Sequence, residues 1–259
     1  MSAKLRLFSL VAGAVALAII AVLVWRHQAA ERTAALDAGQ RAAMEQVVRD
    51  TLMKHPEIIL DAVQALEKQR KAADADAQDA VLAAHRKALD DDPNSAVLGN
   101  PQGDVTVVEF FDYHCPYCKQ MEPALEAMLK QDGRVRLVLK EFPILGDDSV
   151  LAARAAIAAR NQGKYAPFHD ALMQARGAFT PAVIAAIAKQ VGLDDKRLTA
   201  DMTAPGIDKI IGANRALGDA LGIDGTPGFV IGDNVVTGGL TMDHLAAYIA
   251  DARKACHTC

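Results

Sequence analysis

Hydrophobic and polar positions follow three different rhythms along the chain, and each predicts a different kind of structure. From Leu7 to Trp25 the run is uncharged and apolar over 19 residues. That is close to the ~20 residues a helix needs to cross ~30 Å of hydrocarbon. Lys4 and Arg6 precede it, which favours a cytoplasmic N-terminus with residues 28–259 on the far side. A cleavable signal has a shorter apolar region of about 7–15 residues and a small-x-small site. Trp25, Arg26 and His27 close the run instead. The expectation is an uncleaved signal-anchor in residues 1–27, with 7–25 in the inner membrane and the rest in the periplasm; cleavage is the alternative.

Residues 28–95 change to a 3.6-residue period. Met44, Val47, Val48, Thr51 and Leu52 form one stripe, and after His55-Pro56 a second runs through Ile59, Ala62, Val63 and Leu66. An Ala-rich extension continues through Ala77, Ala80, Val81 and Ala84. The stripe is weakest over 69–76, the candidate joint, and Asp90 to Ser95, with Pro93, ends the helix. Helices this short cannot close a core by themselves. The apolar faces must meet a second copy, the next domain or the bilayer surface. Self-association into a homo-oligomer, a trimer among the candidates, is the favoured expectation.

From Gly103 onward the pattern is α/β. Val105 to Phe111 is β-branched and aromatic on both faces, as in a central strand covered by helices on each side. Met121, Leu125, Met128 and Leu129 then recur at helical spacing from Pro116 to Lys130, before a second strand over Val135–Leu139. Helices follow over 149–161 and 165–176, after Thr180-Pro181, and over 207–221. A hairpin comes next, Gly228–Ile231 and Val235-Val236 about the Gly232-Asp233-Asn234 turn, then a last helix capped by Thr241. The order βαβ, helices, ββα makes 96–259 one α/β domain, preceded by the 28–95 helical region.

Composition narrows the function. Lys and Arg number 28 against 32 Asp and Glu, so the net charge of −4 lacks the basic footprint that nucleic-acid binding requires. The four cysteines are too few for a disulfide-built scaffold and fall as two CxxC pairs, Cys115/Cys118 and Cys256/Cys259.

Cys115-Pro116-Tyr117-Cys118 lies where a buried strand hands over to a helix. The Cys115 sulfur there meets unpaired backbone N–H groups and the positive end of the helix dipole, which favour a thiolate. Cys115 is therefore the expected nucleophile. Cys118, one turn deeper on the same face, is placed to attack a mixed disulfide and resolve it. Inert cysteines and a zinc knuckle are the alternatives for this pair. Lys119 stands where a haem-attachment motif would need histidine. For the tail Cys256-His257-Thr258-Cys259, a peripheral disulfide, soft-metal binding and a redox relay all stay open.

The stretch Val107 to Cys118, with Gly225-Thr226-Pro227-Gly228-Phe229 downstream and helices between them, resembles the DsbA-type branch of the thioredoxin superfamily over about residues 100–255. With the amphipathic 40–90 region it is similar, more narrowly, to the suppressor-of-copper-sensitivity protein C (ScsC-like) group. The resemblance implies a thioredoxin-like fold with a helical insertion, preceded by a helical oligomerisation region. It implies an envelope thiol:disulfide oxidoreductase, a disulfide isomerase by preference, acting on client proteins and recharged by a membrane redox partner. Its only redox centre would be the Cys115–Cys118 disulfide, without cofactor or metal. By the same resemblance Pro227 is a cis-proline facing the CxxC, and Thr226 hydrogen-bonds an extended substrate through its backbone. Glu109 becomes the buried acid beneath the pair, suited by a raised pKa to exchange a proton with Cys118. His114 and Tyr117 are tuning residues or simply solvent-facing. The rival class is a non-catalytic copper- or zinc-binding envelope protein using either thiol pair.

Overall fold

The computed structural model describes residues 19–25 and 37–255. Most of the apolar run 7–25, and the Cys256/Cys259 tail, lie outside the described residues; residues 19–25 are helical and exposed. Among the described residues, no helix is long and apolar enough to cross a membrane.

The chain divides into two units, Met1–Ala72 and Ala73–Cys259. In the first, α1 spans Ala38–Lys54. It opens on a capping box, in which the Asp37 side chain accepts from the Gln40 N–H at 2.8 Å and the Gln40 side chain accepts from the Asp37 N–H at 3.1 Å. Pro56 breaks the helix, as its missing N–H requires, and α2 starts at Glu57. The apolar stripe of this unit stays exposed: Val47 at 64%, Ile59 at 51% and Leu66 at 47%. Helix α2 runs without interruption through Glu57–Asp90. The expected joint at 69–76 is helical, since Ala, Gln, Lys and Arg hold helical backbone even where the stripe fades, and the division between the two units, Ala72/Ala73, falls within it.

In the second unit, the end of α2 buries Leu82 and Leu89. The sheet is built from β1 (Ala96–Gly99), β2 (Val105–Phe111), β3 (Val135–Glu141), β4 (Gly228–Ile231) and β5 (Asn234–Thr237). Its order is β1-β3-β2-β4-β5, with β2 and β3 parallel and the remaining pairs antiparallel. Strand β2 sits at the centre, as its two-sided apolar pattern predicts. Val107 and Phe111 join one core with α3 (Pro116–Gln131), α4 (Asp147–Ala159), α5 (Tyr165–Gln174) and α9 (Met242–Ala255). Val108 and Phe110 point the other way, to Leu82, Leu89, Phe142 and Leu217. Leu217 belongs to α8 (Pro205–Ala220).

Three helices, α6 (Pro181–Gln190), α7 (Asp195–Met202) and α8, complete the insertion between β3 and β4. Two elements have no counterpart in the sequence reading. Edge strand β1 has four residues, too few for a period to register; α7 has eight and a single buried residue, Leu198. The helix expected over 149–161 spans Asp147–Ala159 and tightens into a 3₁₀ turn at Arg160–Gln162.

Candidate active site

Strand β2 ends at Phe111, and the backbone turns through Asp112 to deliver Cys115 as the N-cap of α3. Asp112 holds the turn. One carboxylate oxygen accepts from the His114 N–H at 2.7 Å; the other accepts from the N–H groups of Ile144 at 2.9 Å and Leu145 at 3.0 Å. Pro116 takes the first helical position, where no hydrogen bond is lost.

Cys115 and Cys118 are both buried free thiols. The Cys118 backbone N–H donates to Cys115 Sγ at 3.4 Å, and Cys115 Sγ lies 3.1 Å from the Thr226 carbonyl oxygen. The Cys115 pKa is lowered from 9.0 to about 5. Its largest cause is the hydrogen bond with the Cys118 side chain; the Thr226 side chain and the Cys118 and Tyr117 backbone N–H groups add to it, and burial opposes. A thiol donating to the Thr226 carbonyl would favour the protonated form, so that contact belongs to the thiol and is given up on ionisation. Cys118 moves the opposite way, pushed up by its bond to the Cys115 sulfur, by burial and by the Glu109 charge. One sulfur is poised as a thiolate and its neighbour keeps its proton.

The Thr226–Pro227 peptide bond is cis, and this turn faces the CxxC. Strand β4 begins immediately after it. A Cβ at Gly228 would stand 2.4 Å from Ile223 Cγ2, so only glycine fits there.

Glu109 shares the Val107/Phe111 face of β2, the face α3 covers. It is wholly buried, and neither carboxyl oxygen has a hydrogen-bond partner in the protein. That excludes an ordinary paired strand glutamate. Burial first, then the charges of Glu122 and Cys115, raise its pKa well above the carboxylate range.

His114 packs its ring against Phe179 and places Nε2 3.3 Å from Asp148. Tyr117 is exposed. Lys119 extends along the insertion, donating to the Leu172 and Ala175 carbonyls and lying over the Phe179 ring.

Sequence reasoning missed a buried polar chain behind the thiols. The Tyr165 and Tyr113 hydroxyls donate to Glu141 Oε1 at 2.8 and 3.1 Å, and Tyr113 Oη lies 2.9 Å from His169 Nδ1. Burial lifts Glu141 to about 8 despite those two donors. His169 Nε2 in turn lies 3.5 Å from Glu122. The signal was legible: Glu122 stands four residues after Cys118 on the apolar stripe of α3, and His169 sits between Phe168 and Leu172 on that of α5.

A strand-capped CxxC, a facing cis-proline and a helical insertion in a five-stranded sheet together define a thioredoxin-like domain of disulfide-exchange architecture. Residues 106–250 match the DSBA-like thioredoxin domain family, and the chain belongs to it. Residues 40–73 match the copper resistance protein ScsC N-terminal domain.

Among solved structures, a thioredoxin-like oxidoreductase from Silicibacter pomeroyi is 48% identical, covering 66% of this chain and 99% of that one, with a TM-score of 0.65. ScsC of Proteus mirabilis in a transitional conformation is 31% identical over 86% of this chain and 99% of its own, with a TM-score of 0.63. Among curated relatives, the Na(+)/H(+) antiporter NhaA 1 of Salinispora arenicola is 32% identical over 163 residues, 60% of this chain. The chain spans only 24% of that relative's length.

Proposed function

We propose that the protein is a periplasmic thiol:disulfide oxidoreductase whose preferred reaction is disulfide isomerisation in client proteins. The observation that carries the reading is the Cys115 sulfur at the N-cap of α3, accepting the Cys118 N–H and facing the cis Thr226–Pro227 turn. The Cys115 sulfur attacks one sulfur of a client disulfide, forms the mixed disulfide and expels the other client sulfur as a thiolate. A second client thiol then displaces Cys115, and the client is rearranged with no net redox change. Alternatively Cys118 attacks, its proton passing toward Glu109; the client leaves reduced by two electrons and Cys115–Cys118 becomes the disulfide. Exposed Tyr117, Ile144 and Leu145 beside the CxxC offer an apolar rim suited to unfolded chain.

The preference for isomerisation rests on the 37–72 helices, whose exposed stripe suits association with further copies of the chain. Several sites on one assembly raise the effective concentration of thiolate around a client held by any of them. The cationic, apolar N-terminus directs the domain to the periplasm, residues 7–25 acting at the inner membrane, where a membrane redox protein would reset the thiol pair. Removing residues 37–72 is expected to give a monomer by light scattering. It should cut refolding of a scrambled disulfide substrate several-fold while dithiol oxidation persists. An unchanged mass, or full isomerase activity in a monomer, would sink this reading.

Glu109 supplies a second test. Glu109→Gln keeps the shape and removes the titratable oxygen. The first attack, by Cys115, should be unaltered, while release of a preformed mixed disulfide by Cys118 slows by ~10²-fold, the scale of general acid–base catalysis. Rapid-quench measurement of the two steps decides it, and equal slowing of both would remove Glu109 from the proton path.

A further inference from the structure

Behind the thiols, Glu122 of α3 meets His169 and Asp170 of α5. One ligand-type atom from each lies within 4.8 Å of the others. His169 is fully buried, and its Nε2 has no hydrogen-bond partner in the protein. Its closest polar neighbour there is Glu122 Oε1 at 3.5 Å, in an ion-pair contact without hydrogen-bond geometry.

The other ring nitrogen fixes the tautomer. Tyr113 donates its only hydroxyl proton to Glu141, so its oxygen accepts from His169 Nδ1–H. That leaves a lone pair on Nε2, 3.5 Å from Glu122 Oε1 and beside the Asp170 carboxylate in the same cluster. Acceptor facing acceptor in a buried site is repulsive unless something positive sits between them. A ligating histidine has its second nitrogen fixed by a hydrogen bond that sets the tautomer and ring orientation, and the Tyr113 hydroxyl does this for His169.

We propose that Glu122, His169 and Asp170 bind a first-row divalent cation of the zinc type, bridging the CxxC helix to the helical insertion. The donor set is one imidazole and two carboxylates without sulfur. This selects Zn(II) or Co(II) over Cu(I), and distinguishes the site from either thiol pair. Ligand atoms around a tetrahedral zinc stand about 3.3 Å apart, close to the His169–Glu122 separation, so only the half-buried Asp170 must swing in. Solvent supplies the fourth position.

The test uses the full chain with Cys115, Cys118, Cys256 and Cys259 all replaced by serine, so that no thiol can bind. Equilibrium dialysis against Zn(II) should retain one ion per chain, and Co(II) should give the visible absorption of a tetrahedral site. His169→Gln should abolish both. Asp170→Asn, an isosteric change at a half-buried position, should weaken retention at least tenfold and decides the matter if the histidine variant does not fold. No retention in the cysteine-free chain means that a proton on His169, paired with Glu122, fills the gap, and overturns the proposal. Retention undiminished by Asp170→Asn overturns it equally.

Discussion

Replacing Cys115 with serine is expected to reduce insulin reduction and scrambled-substrate refolding together to the uncatalysed rates. The loss is total because both reactions begin with the same bond. A serine hydroxyl in this place has the same backbone donors around it, yet remains protonated at neutral pH and forms no bond to sulfur. The fold should survive, since the substitution exchanges one small N-cap atom for another that also accepts the Cys118 N–H. Cys118→Ser should behave differently: attack continues, resolution through residue 118 stops, and client–Cys115 mixed disulfides accumulate on non-reducing gels. Retention of either activity by Cys115→Ser would move the nucleophile elsewhere. The same outcome would leave the zinc-type site untouched, because no thiol takes part in it.

How much of this was legible in the sequence follows from the length scale of each signal. The central strand and the CxxC helix were readable because burial on both faces of Val105–Phe111 and the α3 stripe are local patterns of seven to sixteen residues. The break between α1 and α2 was readable from Pro56 alone. The meeting of Cys115 with Thr226–Pro227, 111 positions away in the chain, came from family resemblance; no local period encodes it. The polar chain Tyr165–Glu141–Tyr113–His169–Glu122 joins four segments, each of which reads only as an apolar stripe with one polar interruption. A lone buried histidine in such a stripe acquires meaning only when the partner segments are in place. The buried Lys140 is a similar case: among the apolar residues of β3 its partners, the Ala88 carbonyl, Asp92 and Ser95, lie 45 to 52 positions earlier.

Alkylation of the reduced protein by iodoacetamide, with Cys256 and Cys259 replaced by serine, is expected to titrate with a midpoint near pH 5 and not near 9. At pH 6 a thiol of that acidity holds on the order of a thousandfold more thiolate than an ordinary cysteine. Lower basicity makes each thiolate less nucleophilic, by ~40–100-fold over about four pKa units at a Brønsted slope of ~0.4–0.5. The net expectation is a rate ~10-fold above free cysteine at pH 6, with the advantage gone near pH ~7 and reversed at higher pH as free cysteine ionises too. The sign carries into stability. Because the folded Cys115 pKa is depressed, its contribution to the reduced protein is fully present above the unfolded value of 9.0 and is lost as pH falls through about 5. Cys118, raised instead, is protonated in both folded and unfolded chains below 9 and opposes this only at higher pH. The reduced form should therefore gain stability against urea between pH 5 and 8, relative to Cys115→Ser measured alongside. A reduced protein whose alkylation midpoint stays at 8–9, or whose pH dependence matches that of the serine variant, would leave the sulfur an ordinary thiol and remove the driving force for attack on a client disulfide.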